Sequence, residues 1–221
     1  MKYTGRIVVT AAILFALSFE MLVHLLMEGR LYSSISLLAF VPFAYLGWWL
    51  GEQYDAAHYA AVRDSLTNLY NRRQIYVQFP KLAAKSLRKK AKLDCWVIDV
   101  NDFKTINDTS GHQAGDVVLV HIARALHRLA GSNDLVARWG GDEFVLISPF
   151  SDKSQRASVA RLDDLMVELS IKLKKNITVS VGRAVFPDDA RTIDELIRAA
   201  DRNLYCSKME RKPERSSKGI S

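Results

Sequence analysis

Two long apolar runs near the start of the chain, residues 7–27 and 31–50, constrain its architecture more than any other feature. A helix needs about 20 residues to cross the hydrocarbon core of a bilayer, and both runs reach that length. Only Glu28, Gly29 and Arg30 separate them, so they predict a tight hairpin of two transmembrane helices. A cleaved signal peptide fits poorly, because its apolar stretch would be shorter and a second span would not follow at once.

Basic residues flank the hairpin on both sides. Lys2 and Arg6 precede the first run, and Arg63 follows the second. Because Lys and Arg next to membrane spans are retained on the cytoplasmic side, we expect both termini and the remainder of the chain to lie in the cytoplasm. Residues 52–63 are polar with scattered apolar positions and predict a helical linker that continues the second span.

The charge balance limits the classes of partner. The chain has 31 Lys and Arg against 24 Asp and Glu, a formal net charge of +7. A basic chain can bind nucleic acid, anionic lipid or a phosphorylated substrate. It carries no helix-turn-helix, zinc-finger or RNA-binding signature, which argues against nucleic acid, and the cations at 88–92 favour contact with lipid headgroups. Cys95 and Cys206 have no metal-ligand spacing and give no disulfide framework.

The chain after residue 63 alternates between strand and helix patterns. Short apolar runs predict strands at 95–100, 135–139, 144–147 and 177–186. Helical periodicity is found at 66–92, with Pro80 as an interruption, and at 114–129, 154–175 and 193–209. Two of the strands flank Gly140 and Gly141, which predicts an antiparallel hairpin. The fold class is therefore α/β or α+β.

Acidic side chains follow two of these strands. Asp99 lies at the end of one, and Asp142 and Glu143 follow the two glycines of the hairpin. If the strands are neighbours, the carboxylates converge. Mg²⁺ binds through one or two carboxylates plus phosphate oxygens, and two such ions roughly 3.5–4 Å apart can clamp the attacking and leaving oxygens of a phosphoryl transfer. Glycine lets a phosphate approach the backbone. The P-loop pattern GxxxxGK[ST] does not occur.

Four motifs resemble the GGDEF domain of diguanylate cyclases. They read DSLTNLYNRR at 64–73, DVNDFKTINDTSGHQAGD at 99–116, RWGGDEF at 138–144, and Ala199, Ala200 and Asp201 followed by Leu204, Tyr205 and Lys208. The motifs occur in the family's order and cover nearly all of the chain after the linker. The resemblance implies a central mixed sheet flanked by helices. Together with the two apolar runs and the polar stretch after them, it divides the chain into a membrane hairpin (1–51), a helical linker (52–63), a GGDEF domain (64–212) and a disordered basic tail (213–221).

The resemblance also implies a catalytic and metal-binding set. Asp99 and Asp142, with the backbone carbonyl of Val100, would hold two Mg²⁺ ions per active site, with Mn²⁺ as an alternative ion. Glu143 would support the metals or help to deprotonate the attacking 3′-hydroxyl. Lys104 would complete the set by neutralising the triphosphate.

Asn107 and Asp116 would read the guanine edge by the same resemblance. Guanine offers N1–H and N2–H donors, which suit a carboxylate, whereas adenine presents an acceptor at N1, and a buried mismatch of this kind rejects a substrate strongly. The alternative is that each residue is only a helix cap. The other positions implied to contact the nucleotide are Lys208, Phe103, Gly140 and Gly141.

The implied reaction condenses two GTP into cyclic di-GMP with release of two pyrophosphates, which makes the chain a nucleotidyltransferase. Each domain in the family holds one GTP, so two domains of a homodimer must face each other. The protein would be a multi-pass protein of the bacterial inner membrane, in contact with lipid, with an unidentified signal or protein partner at the hairpin. Two alternatives are an inactive GGDEF module that binds GTP or a protein, and a cyclase that also accepts ATP.

Three positions depart from the family pattern. Asn101 stands where many members have Asp. The family's inhibitory product site, RxxD, is represented by GSND at 131–134, so the Arg is replaced by Gly131, which cannot supply the bidentate fork, and feedback inhibition is expected to be lost. The usual Gly-Arg-Asn after the closing lysine reads Arg211, Lys212 and Pro213, which would weaken or shift a phosphate contact.

Overall fold

The computed structural model describes the backbone of residues 4–28, 34–150 and 152–217, and side chains for 4–22, 41–150 and 159–209. The chain divides into two compact units, Met1–Ala61 and Val62–Ser221. The first contains two long helices and the second a sheet with helices on both faces.

The first unit consists of helix α1 (Thr4–Glu28) and most of helix α2 (Ser34–Val62). Within the part of the chain that is described, one window is long and apolar enough to cross a membrane, Thr4–Leu22 in α1, with a mean hydropathy of 1.8 and 6% of its residues buried. The second predicted span, 31–50, lies partly outside the described residues. The linker region, 52–63, is helical to Val62, as expected.

The two helices pack backbone against backbone where α1 begins. A Cβ added to Gly51 would lie 2.3 Å from the Cα atom of Arg6, so only glycine permits this approach. The carboxylate of Asp55 accepts hydrogen bonds from the N–H groups of Gly5 and Arg6, at 2.8 and 3.2 Å, and so caps α1. The Arg6 guanidinium pairs with Glu52 at 2.7 Å. The start of α1 therefore lies beside the later turns of α2.

The second unit is built on a five-stranded sheet with the order β1-β3-β4-β2-β5. The strands are β1 (Tyr70–Asn71), β2 (Leu93–Val100), β3 (Leu135–Arg138), β4 (Glu143–Pro149) and β5 (Val179–Phe186). β1 runs parallel to β3 and the other pairs are antiparallel. The predicted mixed sheet and the hairpin of β3 and β4 are thus confirmed, whereas the two-residue β1 was not predicted.

Five helices accompany the sheet. They are α3 (Arg72–Arg88), α4 (Phe103–Ser110), α5 (His112–Leu129), α6 (Asp152–Leu173) and α7 (Ile193–Ser217). The expectation that Pro80 interrupts a helix is wrong, because Pro80 lies inside α3, where Ile75 and Phe79 are buried against the sheet. α4 was not predicted, since only one of its residues is buried. α7 continues past Pro213, where the sequence predicts a disordered tail to begin.

Both faces of the sheet are buried. Alternate residues of β2 pack in two different hydrophobic clusters. Trp96 and Ile98 lie in the cluster formed with α5 and α6, while Cys95 and Val97 lie in the one formed with α3 and α7. A strand buried on both faces reads as an unbroken apolar run, which is why β2 was recognisable in the sequence.

A glycine in β5 lets α7 lie directly on the sheet. Gly182 pairs with Val97 of β2, and a Cβ on it would lie 2.0 Å from the carbonyl oxygen of Ala200 and 2.4 Å from the backbone nitrogen of Leu204. The side-chain amide of Asn203 donates to the carbonyl of Arg183 at 2.7 Å. These contacts fix where the following turn of α7, which carries Lys208, meets the end of β2.

Candidate active site

Three acidic residues meet at one end of the β2–β4 pair. Asp99, the penultimate residue of β2, is paired in register with Glu143, the first residue of β4. The N–H of Val100 donates to the backbone carbonyl of Asp142 at 3.1 Å. The convergence that the sequence predicted for Asp99 and Asp142 is therefore present, because the register of two antiparallel strands places their opposite ends together.

Lys208 reaches this end of the sheet from α7. Its Nζ atom lies 2.6 Å from Oδ1 of Asp99, and the two side chains are 35% and 17% exposed. Lys208 was expected to contact the nucleotide, whereas in this structure it pairs with Asp99, a predicted metal ligand. The neighbouring positions Arg211 and Lys212 lie outside the residues whose side chains are described.

Burial and the charges of neighbouring carboxylates raise the pKa values of Asp142 and Glu143. The pKa of Asp142 is raised by burial and then by the charge on Asp99. The pKa of Glu143 is raised by burial and then by Asp201, Asp99 and Asp142, while Lys208 acts in the opposite direction on both. Bringing further positive charge to this end of the sheet would relieve the repulsion between the carboxylates.

The donor set fits Mg²⁺ that is shared with a nucleotide. Among the described residues, no group of three or more His, Cys, Asp or Glu side chains is arranged to hold a metal ion by itself. Two adjacent carboxylates, of Asp99 and Asp142, together with the carbonyl of Val100, match an ion that keeps some waters and takes its remaining ligands from phosphates. The mutual repulsion of Asp99 and Asp142 is the observation that favours a cation here.

The glycine turn before Asp142 is braced by Arg138. The guanidinium donates to the carbonyl of Gly140 at 3.1 Å and to that of Gly141 at 2.7 Å. A Cβ on Gly140 would lie 2.8 Å from Oε2 of Glu143, while one on Gly141 would meet no atom within 4 Å. Gly140 therefore leaves room for the Glu143 carboxylate, and Gly141 leaves an open approach to the backbone.

The predicted base-reading residues lie on α4 and α5. Asn107 of α4 is half-buried and Asp116 of α5 is exposed. Phe103, at the start of α4, packs against the core, and Lys104 beside it is exposed. Gly115 lies against Asn107 and Phe103. The structure thus brings Phe103 and Asn107 together at one position of α5, next to Asp116 in the chain.

Asn101, the first departure from the family pattern, has a structural role. Its side-chain amide donates to Oγ1 of Thr178 at 3.0 Å, and its carbonyl oxygen accepts from the hydroxyl of Ser180 at 2.7 Å. Both of its polar atoms are thus engaged by the β5 region. The replacement of Asp by Asn at this position leaves the group of Asp99, Asp142 and Glu143 unchanged.

Asp201, for which no role was expected from the sequence, lies close enough to Asp99 and Glu143 to affect the charge of the site. Its pKa is raised by burial and by the charge of Asp99, and its own charge raises the pKa of Glu143. The sequence contains a signal for this: Asp201 and Lys208 are seven residues apart, so they share one face of α7. That shared face could have been inferred once Lys208 was assigned to the site.

Comparison with known families and proteins agrees with this geometry. The family model described as "Diguanylate cyclase, GGDEF domain" matches residues 61–214. The diguanylate cyclase DgcM of Escherichia coli K12 is 38% identical over 155 residues, which cover 70% of this chain and 38% of DgcM. The diguanylate cyclase TpbB of Pseudomonas aeruginosa is 35% identical over 164 residues, covering 72% of this chain and 38% of TpbB. The chain thus spans under half the length of these relatives.

Solved structures show the same fold. The coiled coil and GGDEF domain of DgcB from Caulobacter crescentus, in complex with c-di-GMP, aligns with a TM-score of 0.68 at 30% identity, over 80% of this chain and 96% of that one. A sensory box/GGDEF family protein from Caulobacter crescentus aligns with a TM-score of 0.60 at 30% identity, over 67% of this chain and 99% of that one. The family match covers more than half of the chain, and this chain therefore belongs to the diguanylate cyclase GGDEF domain family.

Proposed function

We propose that this chain is a membrane-anchored diguanylate cyclase, which condenses two GTP molecules into cyclic di-GMP and releases two pyrophosphates. The observation that carries the proposal is the meeting of Asp99, Asp142 and Glu143 at one end of β2 and β4, beside a glycine turn open to phosphate. The curated relatives, which are diguanylate cyclases, support the same reaction.

Asp99, Asp142 and the carbonyl of Val100 would hold two Mg²⁺ ions per active site, with Mn²⁺ as an alternative. When bound, these ions polarise the α-phosphate and offset the charge that develops on the leaving pyrophosphate. The carboxylates of Asp99 and Asp142 would position the nucleotide, because they would fix the location of the positive charge that its phosphates contact. The raised pKa of Asp142 supports this assignment, because a nearby cation would lower it again.

Glu143 is proposed to accept the proton of the attacking 3′-hydroxyl. A general base works best when its pKa lies near the working pH, and the pKa of Glu143 is raised in that direction by burial and by neighbouring carboxylates. The 3′-oxygen of one GTP then bonds to the α-phosphorus of the other, and the bond to the bridging oxygen of the pyrophosphate breaks. The 3′-oxygen of the second nucleotide then bonds to the α-phosphorus of the first, which releases the second pyrophosphate and closes the ring.

The two lysines are proposed to neutralise the triphosphate. Lys208 already lies at the site, 2.6 Å from Asp99, and an ammonium group has three donors to share between carboxylate and phosphate. Lys104 is exposed on α4 and free of the sheet. Gly140 and Gly141 would border the phosphates, where a side chain would block them.

Base selection is assigned to α4 and α5. Asn107 and Asp116 would accept hydrogen bonds from the N1–H and N2–H groups of guanine, with Phe103 bordering the same pocket. Adenine would leave these acceptors facing a lone pair, so GTP is expected to be selected over ATP. The half-buried position of Asn107 supports such a discriminating contact.

Cyclisation requires two copies of the domain, because each holds one GTP and the product joins two nucleotides. We therefore propose a homodimer with two active sites facing each other. The DgcB structure contains a coiled coil with its GGDEF domain and aligns over 80% of this chain, which supports a role for the linker helix, 52–63, in pairing two copies. The structure of SiaD with its activator SiaC supports the view that a partner protein can act on such an enzyme.

The first unit is proposed to be a two-span hairpin in the bacterial inner membrane, with both termini and the GGDEF domain in the cytoplasm. The apolar window Thr4–Leu22 and the glycine contact between Gly51 and Arg6 support it, since small residues let membrane helices approach closely. The proposed limits are 1–51 for the hairpin, 52–63 for the linker and 64–212 for the domain. The cations at 88–92 would contact lipid, and no nucleic acid is required.

The proposal is tested with purified full-length protein in detergent, supplied with Mg²⁺ and with GTP, ATP or both. We expect cyclic di-GMP from GTP alone, and no adenine-containing cyclic product from the mixture. A folded dimer that binds GTP and forms no product would instead support the inactive module that binds nucleotide or a partner. Products containing adenine would contradict the assignment of Asn107 and Asp116.

A further inference from the structure

Gly115 occupies a position where glycine is unfavourable. It lies in the first turns of α5, with ordinary helical backbone, and it is buried. In a helix interior glycine is the least favourable residue apart from proline. Because the backbone does not require glycine here, the reason for it must be the space that a side chain would fill.

That space is occupied by Asn107. A Cβ on Gly115 would lie 2.0 Å from Oδ1 and 3.0 Å from Cγ of Asn107, and 3.1 Å from Cζ of Phe103. The amide of Asn107 therefore rests against the bare backbone of α5. Phe103 is partly buried and packs against the core beside this contact.

The Oδ1 atom of Asn107 is buried and accepts no hydrogen bond from any residue that the structure describes. A buried acceptor without a donor is unfavourable, so its position makes sense if a ligand supplies the donor. The exocyclic N2 amine of guanine is such a donor, and hypoxanthine, the base of inosine triphosphate, lacks it while keeping N1–H.

We propose that Gly115 is a positioning residue for base selectivity, which holds Asn107 in the orientation that distinguishes guanine from hypoxanthine. The inference rests on the proposed function only in that the site takes a guanine nucleotide. A methyl group at position 115 would displace the Asn107 amide, while a helix built with Ala in place of Gly is intrinsically more favourable. Loss of selectivity would thus not need loss of folding.

The test measures binding, so that it does not depend on turnover. The affinities of the α,β-methylene analogues of GTP and inosine triphosphate are measured by calorimetry on full-length protein in detergent with Mg²⁺. The wild type is expected to prefer the guanine analogue by about tenfold or more, as one hydrogen bond to a buried group gives. In Gly115→Ala the preference is expected to fall below about twofold, with the affinity for the hypoxanthine analogue little changed.

Two controls separate this role from a general structural one. Gly131→Ala makes the same substitution where the nearest atom, of Asp134, is 3.7 Å from the added Cβ, and it should leave the preference unchanged. Asn107→Ala removes the atom that the methyl group would strike, so adding Gly115→Ala to it should alter the affinity for the guanine analogue by less than about twofold.

Several results would overturn the inference. They are a Gly115→Ala protein that keeps the wild-type preference, an equal loss of affinity for the guanine analogue in the presence and absence of Asn107, and a wild type that does not distinguish the two bases. If Gly115→Ala does not fold, the double variant is expected to fold, because the closest contact of the added methyl group, 2.0 Å to Oδ1 of Asn107, is gone, and an unfolded double variant also overturns the inference. A wild type with the guanine preference but without cyclic di-GMP synthesis would contradict the proposed function and support this inference.

Discussion

The guanidinium of Arg138 donates from Nη1 to both carboxylate oxygens of Asp64, at 3.2 and 3.3 Å, while it also binds the carbonyls of the glycine turn. Asp64 is itself held by Thr67, whose hydroxyl and N–H donate to Oδ1 at 2.6 and 2.8 Å. Burial would raise the pKa of Asp64, but the hydrogen bonds from Thr67 and the charge of Arg138 lower it overall. Arg138 thus ties the turn at the start of the domain to the turn that carries Asp142.

We predict that Arg138→Lys destabilises the domain by about 1.5–3 kcal/mol, the range for hydrogen bonds to a charged group, and lowers the rate of product formation. Lysine keeps the positive charge, but it lacks the planar group of donors with which Arg138 binds the Asp64 carboxylate and the carbonyls of the glycine turn at the same time. Urea denaturation measures the change. Arg128→Lys is the matched control, since the side chains of the Arg128–Glu168 pair are 59% and 65% exposed. This substitution should change the free energy of unfolding by about 0–1 kcal/mol. Equal effects of the two substitutions would contradict this account of Arg138.

A second prediction concerns pH. The pKa of Asp142 is raised in the folded state, by burial and then by Asp99, so its ionisation opposes folding. That cost is fully present above the folded-state pKa and disappears below the unfolded value of about 4. In metal-free buffer, Asp142→Asn should therefore stabilise the protein near neutral pH, by about 0.2–1 kcal/mol for a partly exposed charge, and should have no effect once Asp142 is protonated. A variant that is less stable than wild type at neutral pH would show that Asp142 is not under repulsion.

The contact of α7 with β5 gives a third prediction. Gly182→Ala would place a methyl group within 2.0 Å of the Ala200 carbonyl oxygen, and overpacking of this kind costs about 1–3 kcal/mol. The helix can relieve the clash only by moving, which would also carry Lys208 away from Asp99. We expect a lower denaturation midpoint together with slower product formation. Wild-type stability in Gly182→Ala would mean that α7 does not lie on the backbone of β5.

Feedback by the product is the subject of the fourth prediction. At the position of the inhibitory site the chain has Gly131 and Asp134, and the carboxylate of Asp134 accepts a hydrogen bond from the N–H of Gly131 at 2.8 Å. Asp134 thus closes a turn, and no arginine stands at the matching position. Added cyclic di-GMP should leave the initial rate unchanged. Product binding with micromolar affinity that is lost in Asp134→Ala would contradict this.

Much of the fold follows from local patterns. β2 and β4 are recognisable because they contain continuous apolar runs, β5 because most of its positions are apolar, and the hairpin of β3 and β4 is marked by Gly140 and Gly141. The two-residue β1 and the short α4 carry no comparable signal, because β1 is defined only by its pairing with β3 and α4 buries one apolar side chain. The prediction at Pro80 was wrong because the packing of the buried face of α3 stabilises the helix by more than the loss of the hydrogen bond that proline cannot make.

The site was predictable to the extent that it depends on strand ends. Asp99 lies at the end of β2 and Asp142 immediately precedes β4, and one antiparallel register brings them together. The pairing of Lys208 with Asp99 depends instead on how α7 lies on the sheet, and the position of Asn107 against Gly115 depends on how α4 packs on α5. That placement is decided by contacts between residues far apart in the chain, such as Gly182 with Ala200, which no local pattern contains.

The central claim is that this chain forms cyclic di-GMP at the carboxylates of Asp99 and Asp142. The most direct measurement is cyclic di-GMP formed from GTP and Mg²⁺ by the full-length protein in detergent, compared with Asp142→Ala prepared in the same way. We expect product from the wild type and none from the variant, with both proteins folded. Product from both would contradict the role of Asp142, and product from neither, with GTP still bound, would contradict the catalytic claim itself.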